Sequence, residues 1–167
     1  YTGINRNNSN ISETSVIGAL PTLAGTPIVG EYLPETDNFG GHGGKVVIQD
    51  NKAQYIDTTS AYGFVSENSK FYWEKVVEKD GTVRDYLVAD EVKFWTGRYP
   101  QLRTLLEQGT YNQSMEIEVT DGQFEEIEGE TVFNIKSFMF TALCILGVAK
   151  GDDFSGEVEP CFESASI

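Results

Sequence analysis

The chain has one histidine, His42, set in "NFGGHGGK" (residues 38–45) with two glycines on each side. Any reaction that moves a proton through an imidazole must use this residue. Ser114, in "YNQSMEIEV", opens a predicted strand directly after a loop, where a hydroxyl on a rigid element can face a cleft. Glu116 and Glu118 follow in alternate positions, so they share the strand face of Ser114. Hydroxyl, imidazole and carboxylate are the parts of nucleophilic acyl transfer. Each also has a plainer reading: glycines around a histidine more often mark a turn, and a serine at a strand start is usually structural. Spacing alone leaves both readings open.

Other chemistries find less support. One histidine, two distant cysteines and scattered carboxylates give no zinc-ligand spacing. The acidic loop "KGDDFSGE" (150–157) lacks the ligand order of an EF-hand and reads as a solvated turn. No Lys-Ser/Thr follows the glycines around His42, so they form no phosphate-binding loop. No carboxylate pair stands out for glycoside hydrolysis. No metal and no cofactor are therefore expected. Cys144, inside "FTALCILG", reads as a buried small apolar residue, and Cys161 follows Pro160 near the C-terminus. Two cysteines supply no disulfide framework, which points to an intracellular setting.

The surrounding elements must position these residues. A chain of 167 residues, 40% hydrophobic with ten Phe and eight Tyr, is expected to form one domain, 1–167, with loop-rich ends at 1–12 and 148–167. Acidic residues outnumber basic ones by 26 to 12, a net charge of −14, which excludes a nucleic-acid-wrapping role. No apolar run is long enough to span a membrane as a helix.

Ser12 to Leu20 is a predicted short helix, stopped by Pro21, and 26–33 a β-branched strand. "GKVVIQD" and "AQYIDTT" flank "NK" as a hairpin, and Asp80-Gly81 turns a second hairpin within 71–95. Residues 101–109 read as a helix closed by Gly109. The segment 113–140 reads as strand, Asp121-Gly122 turn, strand, and "FTALCILG" as a buried strand or a short helix. The sum is a mainly β (α+β) domain, a barrel or a strongly coiled sheet with a few short helices.

The segments "YTGINRNNSNIS", "TPIVGEY…NFGGHGGK", "YLVADEVKFWTGRYP", "QSMEIEV" and "FTALCILG…VEPCFESASI", in that order, cover nearly the whole chain. They resemble the tailed-phage prohead maturation proteases, distant relatives of the herpesvirus assemblins, in the form found in prophages of Gram-positive bacteria. The resemblance implies an assemblin-like β-barrel and a serine endopeptidase. In that family the histidine precedes the nucleophilic serine. This order makes His42 the general base and Ser114 the nucleophile, with an oxyanion hole expected from amides between Gly147 and Gly151. The family's third member falls just before the "TALC" segment, where this chain has Phe140, which cannot orient an imidazolium. Three readings follow: Glu116 substitutes as third member, a Ser–His dyad operates, or the domain is a protease-like scaffold component that no longer cleaves.

The resemblance further implies a role in capsid maturation, cleaving scaffold or coat protein and the protease itself. The setting would be the prohead in the host bacterial cytoplasm, often with a scaffold segment on the same chain. Its implied partners are the phage scaffold and major capsid protein, and a homodimer or higher oligomer, with no nucleic acid and no membrane.

Overall fold

The computed structural model describes residues 1–127 and 129–167, leaving aside the side chains at 104 and 108. Strands β1 (Gly3–Ile4) and β2 (Ser9–Ile11) lead into helix α1 (Glu13–Ala19). Ser12 caps α1 by accepting the Ser15 amide at 3.1 Å, and Pro21 sits in the 3-10 turn Leu20–Thr22 that ends it. Next come β3 (Pro27–Gly30), β4 (Tyr32–Leu33), β5 (Asn38–Phe39), β6 (Lys45–Gln49), β7 (Lys52–Ile56) and β8 (Ser60–Val65). Then follow β9 (Phe71–Val77), β10 (Val83–Ala89), β11 (Val92–Phe94), α2 (Pro100–Gln108), β12 (Asn112–Ile127) and β13 (Glu130–Leu146). The expected strand over 26–33 is divided at Glu31 between β3 and β4.

β13 is the spine of the main sheet. β12 pairs antiparallel along its whole length on one side. On the other side lie β2, against Phe133–Ile135, and β3, against Leu143–Ile145, both parallel to it. β1 extends the sheet beyond β2, and β8 and β11 extend it beyond β3. β2 and β3 thus lie end to end along one side of β13, and α1 bridges the gap between them, burying Val16 and Ala19 and donating the Ser15 hydroxyl to the Ile135 carbonyl at 3.0 Å. The domain is mainly β, as expected, but among the described residues β11 and β12 remain at sheet edges and no closed barrel forms.

The hairpins show where turn chemistry was decisive. β9–β10 turns at Asp80-Gly81 as expected, with Gly81 at φ 86°. β6–β7 turns at Asp50-Asn51 rather than "NK", because both residues adopt left-handed conformations (φ 53° and 59°) that Asp and Asn tolerate.

Asp121-Gly122, however, is no turn. β12 runs straight through it, and Ile127 pairs with Glu130 at the hairpin end, where Gly129 has φ 87°. The Asp-Gly dipeptide marks bulges instead: Thr120 on β12 and Lys136 on β13 are extra residues in the ladder. Gly122 is there because the strands approach closely. A Cβ would lie 2.8 Å from the Phe133 ring and 3.1 Å from the Asn134 carbonyl. "FTALCILG" forms the last, buried part of β13.

A third bulge, at Thr141, lies between the pairs Glu116–Ala142 and Ile117–Phe140. An extra residue reverses which face the following side chains occupy. Phe138, Phe140, Leu143 and Met115 line an apolar cavity of about 380 Å³, roofed by Trp73 of β9 and Phe162 of the C-terminal segment. Ser114, Glu116, Ala142 and Cys144 belong to the opposite face, where Val29, Ala142, Cys144 and Leu146 form a small core. A larger core joins Ile28, Phe39, Tyr62, Leu102, Leu105 and Ile145. Burying one aliphatic side chain of this size contributes about 1.5–3 kcal/mol. The upper end of β13 is thus rigid, and the site is built on it.

Candidate active site at the His42 loop

The glycines around His42 bind a loop to two supports. The Gly40 amide donates to the Glu31 carbonyl at 2.8 Å, and the Gly147 amide donates to the Gly40 carbonyl at 2.9 Å, fixing the loop's entry to the end of β13. On the exit side the Gly44 amide donates to Thr58 Oγ1 at 2.7 Å and the Tyr55 hydroxyl to the Gly43 carbonyl at 3.2 Å. Gly43 and Gly44 have φ of 68° and 101°, a backbone path that side chains disfavour. The sequence therefore makes a tight turn here and, at the same time, projects His42 over the sheet. Turn and imidazole position are one feature.

That projection brings His42 to Glu116. Nδ1 lies 3.1 Å from Glu116 Oε1, with 46% of the histidine side chain and 35% of the glutamate side chain exposed. In a neutral imidazole, an Nδ1–H donated to the carboxylate leaves Nε2 as the nitrogen that can accept a proton. Glu116 reaches the imidazole because Ala142 stands opposite it across the ladder and fills little space. Phe140, where the sequence resemblance put the third member, is on the other face because of the Thr141 bulge, stacked edge-on against Phe138 at 5.2 Å between centroids.

Ser114 is the residue paired directly with Cys144 across the two strands, so the two side chains are neighbours on the His42 side. Ser114 is buried, at 4% exposure, and its hydroxyl contacts Cys161 Sγ at 3.8 Å. Among the described residues no hydrogen bond joins Ser114 to His42. Sequence reasoning did not find either thiol at this place. Cys144 Sγ lies within 4.8 Å of both a His42 ring nitrogen and a Glu116 oxygen, 3.7 Å from the Gly41 carbonyl and 3.6 Å from the Ile145 carbonyl. Burial, reinforced by the charges of Glu116, Asp57 and Glu31, pushes the Cys144 thiol up to about 12. It is therefore neutral at physiological pH and a poor nucleophile.

The amides expected to form an oxyanion hole are largely engaged. Gly147 binds Gly40, Val148 donates to Asn38 Oδ1 at 3.3 Å, and Lys150 donates to the Asp153 carbonyl at 2.9 Å.

The sequence profile of the YonD N-terminal domain matches residues 1–167, the whole chain. The chain belongs to the YonD N-terminal domain family. This membership agrees with the expected phage association at the level of a phage-type domain and does not extend to the prohead proteases. No curated protein and no solved structure matches the chain. Among the described residues, no helix of this family member is long and apolar enough to cross a membrane.

Proposed function

We propose that the chain is a serine endopeptidase of phage capsid maturation, cleaving scaffold or coat protein inside the prohead. Ser114 is the nucleophile, His42 the general base and Glu116 the residue that orients the imidazole. The observation that carries this reading is the 3.1 Å contact of Glu116 with His42 Nδ1, on the strand face that also holds Ser114. A carboxylate on Nδ1 is the arrangement that lets Nε2 take the serine proton during attack on the scissile carbonyl and return it to the leaving amine. Membership of the YonD N-terminal domain family supports the phage setting.

In this reading Ser114 Oγ turns from Cys161 toward His42 by rotation about χ1 when peptide binds, since a serine–histidine hydrogen bond absent from the free enzyme can form in the substrate complex. Co-expression with the scaffold and major capsid protein of the same phage is expected to yield cleaved products, and Ser114→Ala to leave both intact. Normal processing by Ser114→Ala overturns the assignment.

A second reading, a protease-like scaffold or assembly protein that does not cleave, is favoured by one observation: Ser114 is buried and bonded to Cys161 rather than His42. It predicts no processing by the wild-type chain, yet aberrant shells when the protein is removed.

A further inference from the structure

We infer that His42, Glu116 and Cys144 form a binding site for a borderline-soft divalent cation, Zn²⁺. One ligand atom from each residue lies within 4.8 Å of the other two, and His42 Nδ1 and Glu116 Oε1 are already 3.1 Å apart. Four ligands around a tetrahedral zinc, bound at about 2.0–2.3 Å, lie roughly 3.3–3.8 Å from one another. Side-chain movements on the order of 1 Å therefore close the set.

The supports are firm. Cys144 and Glu116 project from paired strands, as diagonal neighbours across the Ser114–Cys144 and Glu116–Ala142 pairs. His42 is carried on a loop tied at both ends. The sulfur already touches the loop, 3.7 Å from the Gly41 carbonyl. The partly exposed imidazole gives the ion an entry path. Asp57 and Glu31 lie close enough to act electrostatically on Cys144, and their charges favour a cation there.

Thiolate, imidazole and one carboxylate select zinc over magnesium or calcium, which prefer all-oxygen shells. On binding, the Cys144 S–H bond breaks, the sulfur pair forms the bond to the ion, and the proton leaves to solvent. Three protein ligands leave a fourth position for water.

A consequence follows that rests on the protease reading. An imidazole held by the ion is no longer free to serve as base, so zinc binding and proteolysis exclude each other at this site.

Titration of the whole chain with Co²⁺ tests the site, because a cobalt–thiolate bond produces a charge-transfer absorption that oxygen and nitrogen ligands do not. One equivalent is expected to produce that band, and Zn²⁺ to abolish it by displacement. Cys144→Ser is expected to remove the band and Cys161→Ser to preserve it. Since Cys144 is buried, the surface variants His42→Ala and Glu116→Gln supply a second measure, each expected to weaken Zn²⁺ binding at least tenfold in a chelator competition. Absence of the band, its survival in Cys144→Ser, its loss in Cys161→Ser, or unchanged affinity in both surface variants overturns the site. Cobalt binding by a chain that still fails to process scaffold after a chelator has stripped its metal would sink only the protease reading. Processing that proceeds without any cobalt–thiolate band would sink only the metal site.

Discussion

At the scale of single residues, the catalytic proposal turns on which group backs His42. Glu116→Gln keeps the shape of the contact but removes its charge, and can present an amide N–H to Nδ1, forcing the wrong tautomer. Under the protease reading this is expected to slow scaffold processing by about two to four powers of ten. Stability should change by at most about 1 kcal/mol, because the pair is half exposed. Equal processing rates for Glu116→Gln and wild type would remove Glu116 from the mechanism.

Cys144 gives a prediction about pH. Its thiol is raised from an ordinary value of 9.0 to about 12 in the folded chain. The folded state therefore holds a proton that the unfolded state releases, and stability falls as pH rises through that window. Denaturant titrations from pH 9 upward should show a shallower pH slope for Cys144→Val than for wild type. Identical slopes would mean that the thiol is not buried as described. At neutral pH the same protection predicts that alkylating reagents label Cys161, which is partly exposed, ahead of Cys144, which is buried.

At the scale of elements, the long β12–β13 hairpin governs the site through its bulges. The bulge at Thr141 separates two environments on one strand, sending Phe140 to the apolar cavity and Ala142 and Cys144 to His42. This is why Phe140 at the expected third position does not decide the chemistry. Gly122 permits the neighbouring irregularity by leaving room for Phe133 and the Asn134 carbonyl. Gly122→Val should cost about 1–3 kcal/mol through forced displacement of the strands, read as a lower urea midpoint. Gly129, whose added Cβ would meet nothing within 4 Å, carries only the penalty of its left-handed backbone. A Gly129→Ala variant should therefore lose less, about 1 kcal/mol. The reverse order would mean that the turn lies at Asp121-Gly122 after all.

At the scale of the whole molecule, the C-terminal segment is stitched across the sheet. The amide of Gln113 donates to the Ala165 carbonyl at 2.9 Å, and Tyr111 and Ile167 exchange two backbone hydrogen bonds at 3.0 Å. Its anchor is a buried network in which the Tyr86 hydroxyl donates to Glu78 Oε1 at 2.6 Å and accepts the Ser164 amide at 2.9 Å. Tyr86→Phe leaves a buried carboxylate and an amide short of partners, a loss of about 1–3 kcal/mol. Limited proteolysis of this variant should cut residues 159–167 faster than in wild type. Unchanged cleavage would show that the edge pairing alone holds the segment.

Local signals carried much of the fold: the Ser12 cap, the Asp80-Gly81 turn, the α2 helix before Gly109 and the alternation of β9 and β10 all rest on residues close in sequence. By itself the sequence determined a mainly β domain and singled out His42, Ser114 and Glu116. Only the tertiary structure decided that Glu116 meets His42 and that the Ser114 hydroxyl lies against Cys161. A turn at Asp121-Gly122 would set Ser114 opposite Gly129, whereas the actual hairpin end sets it opposite Cys144. Dipeptide preference could not settle that choice, because Asp-Gly suits a bulge as well as a turn. Likewise, no spacing in the chain ties Cys144 to His42. Their proximity comes from the amide contact of Gly147 with Gly40, which docks the histidine loop on the end of β13.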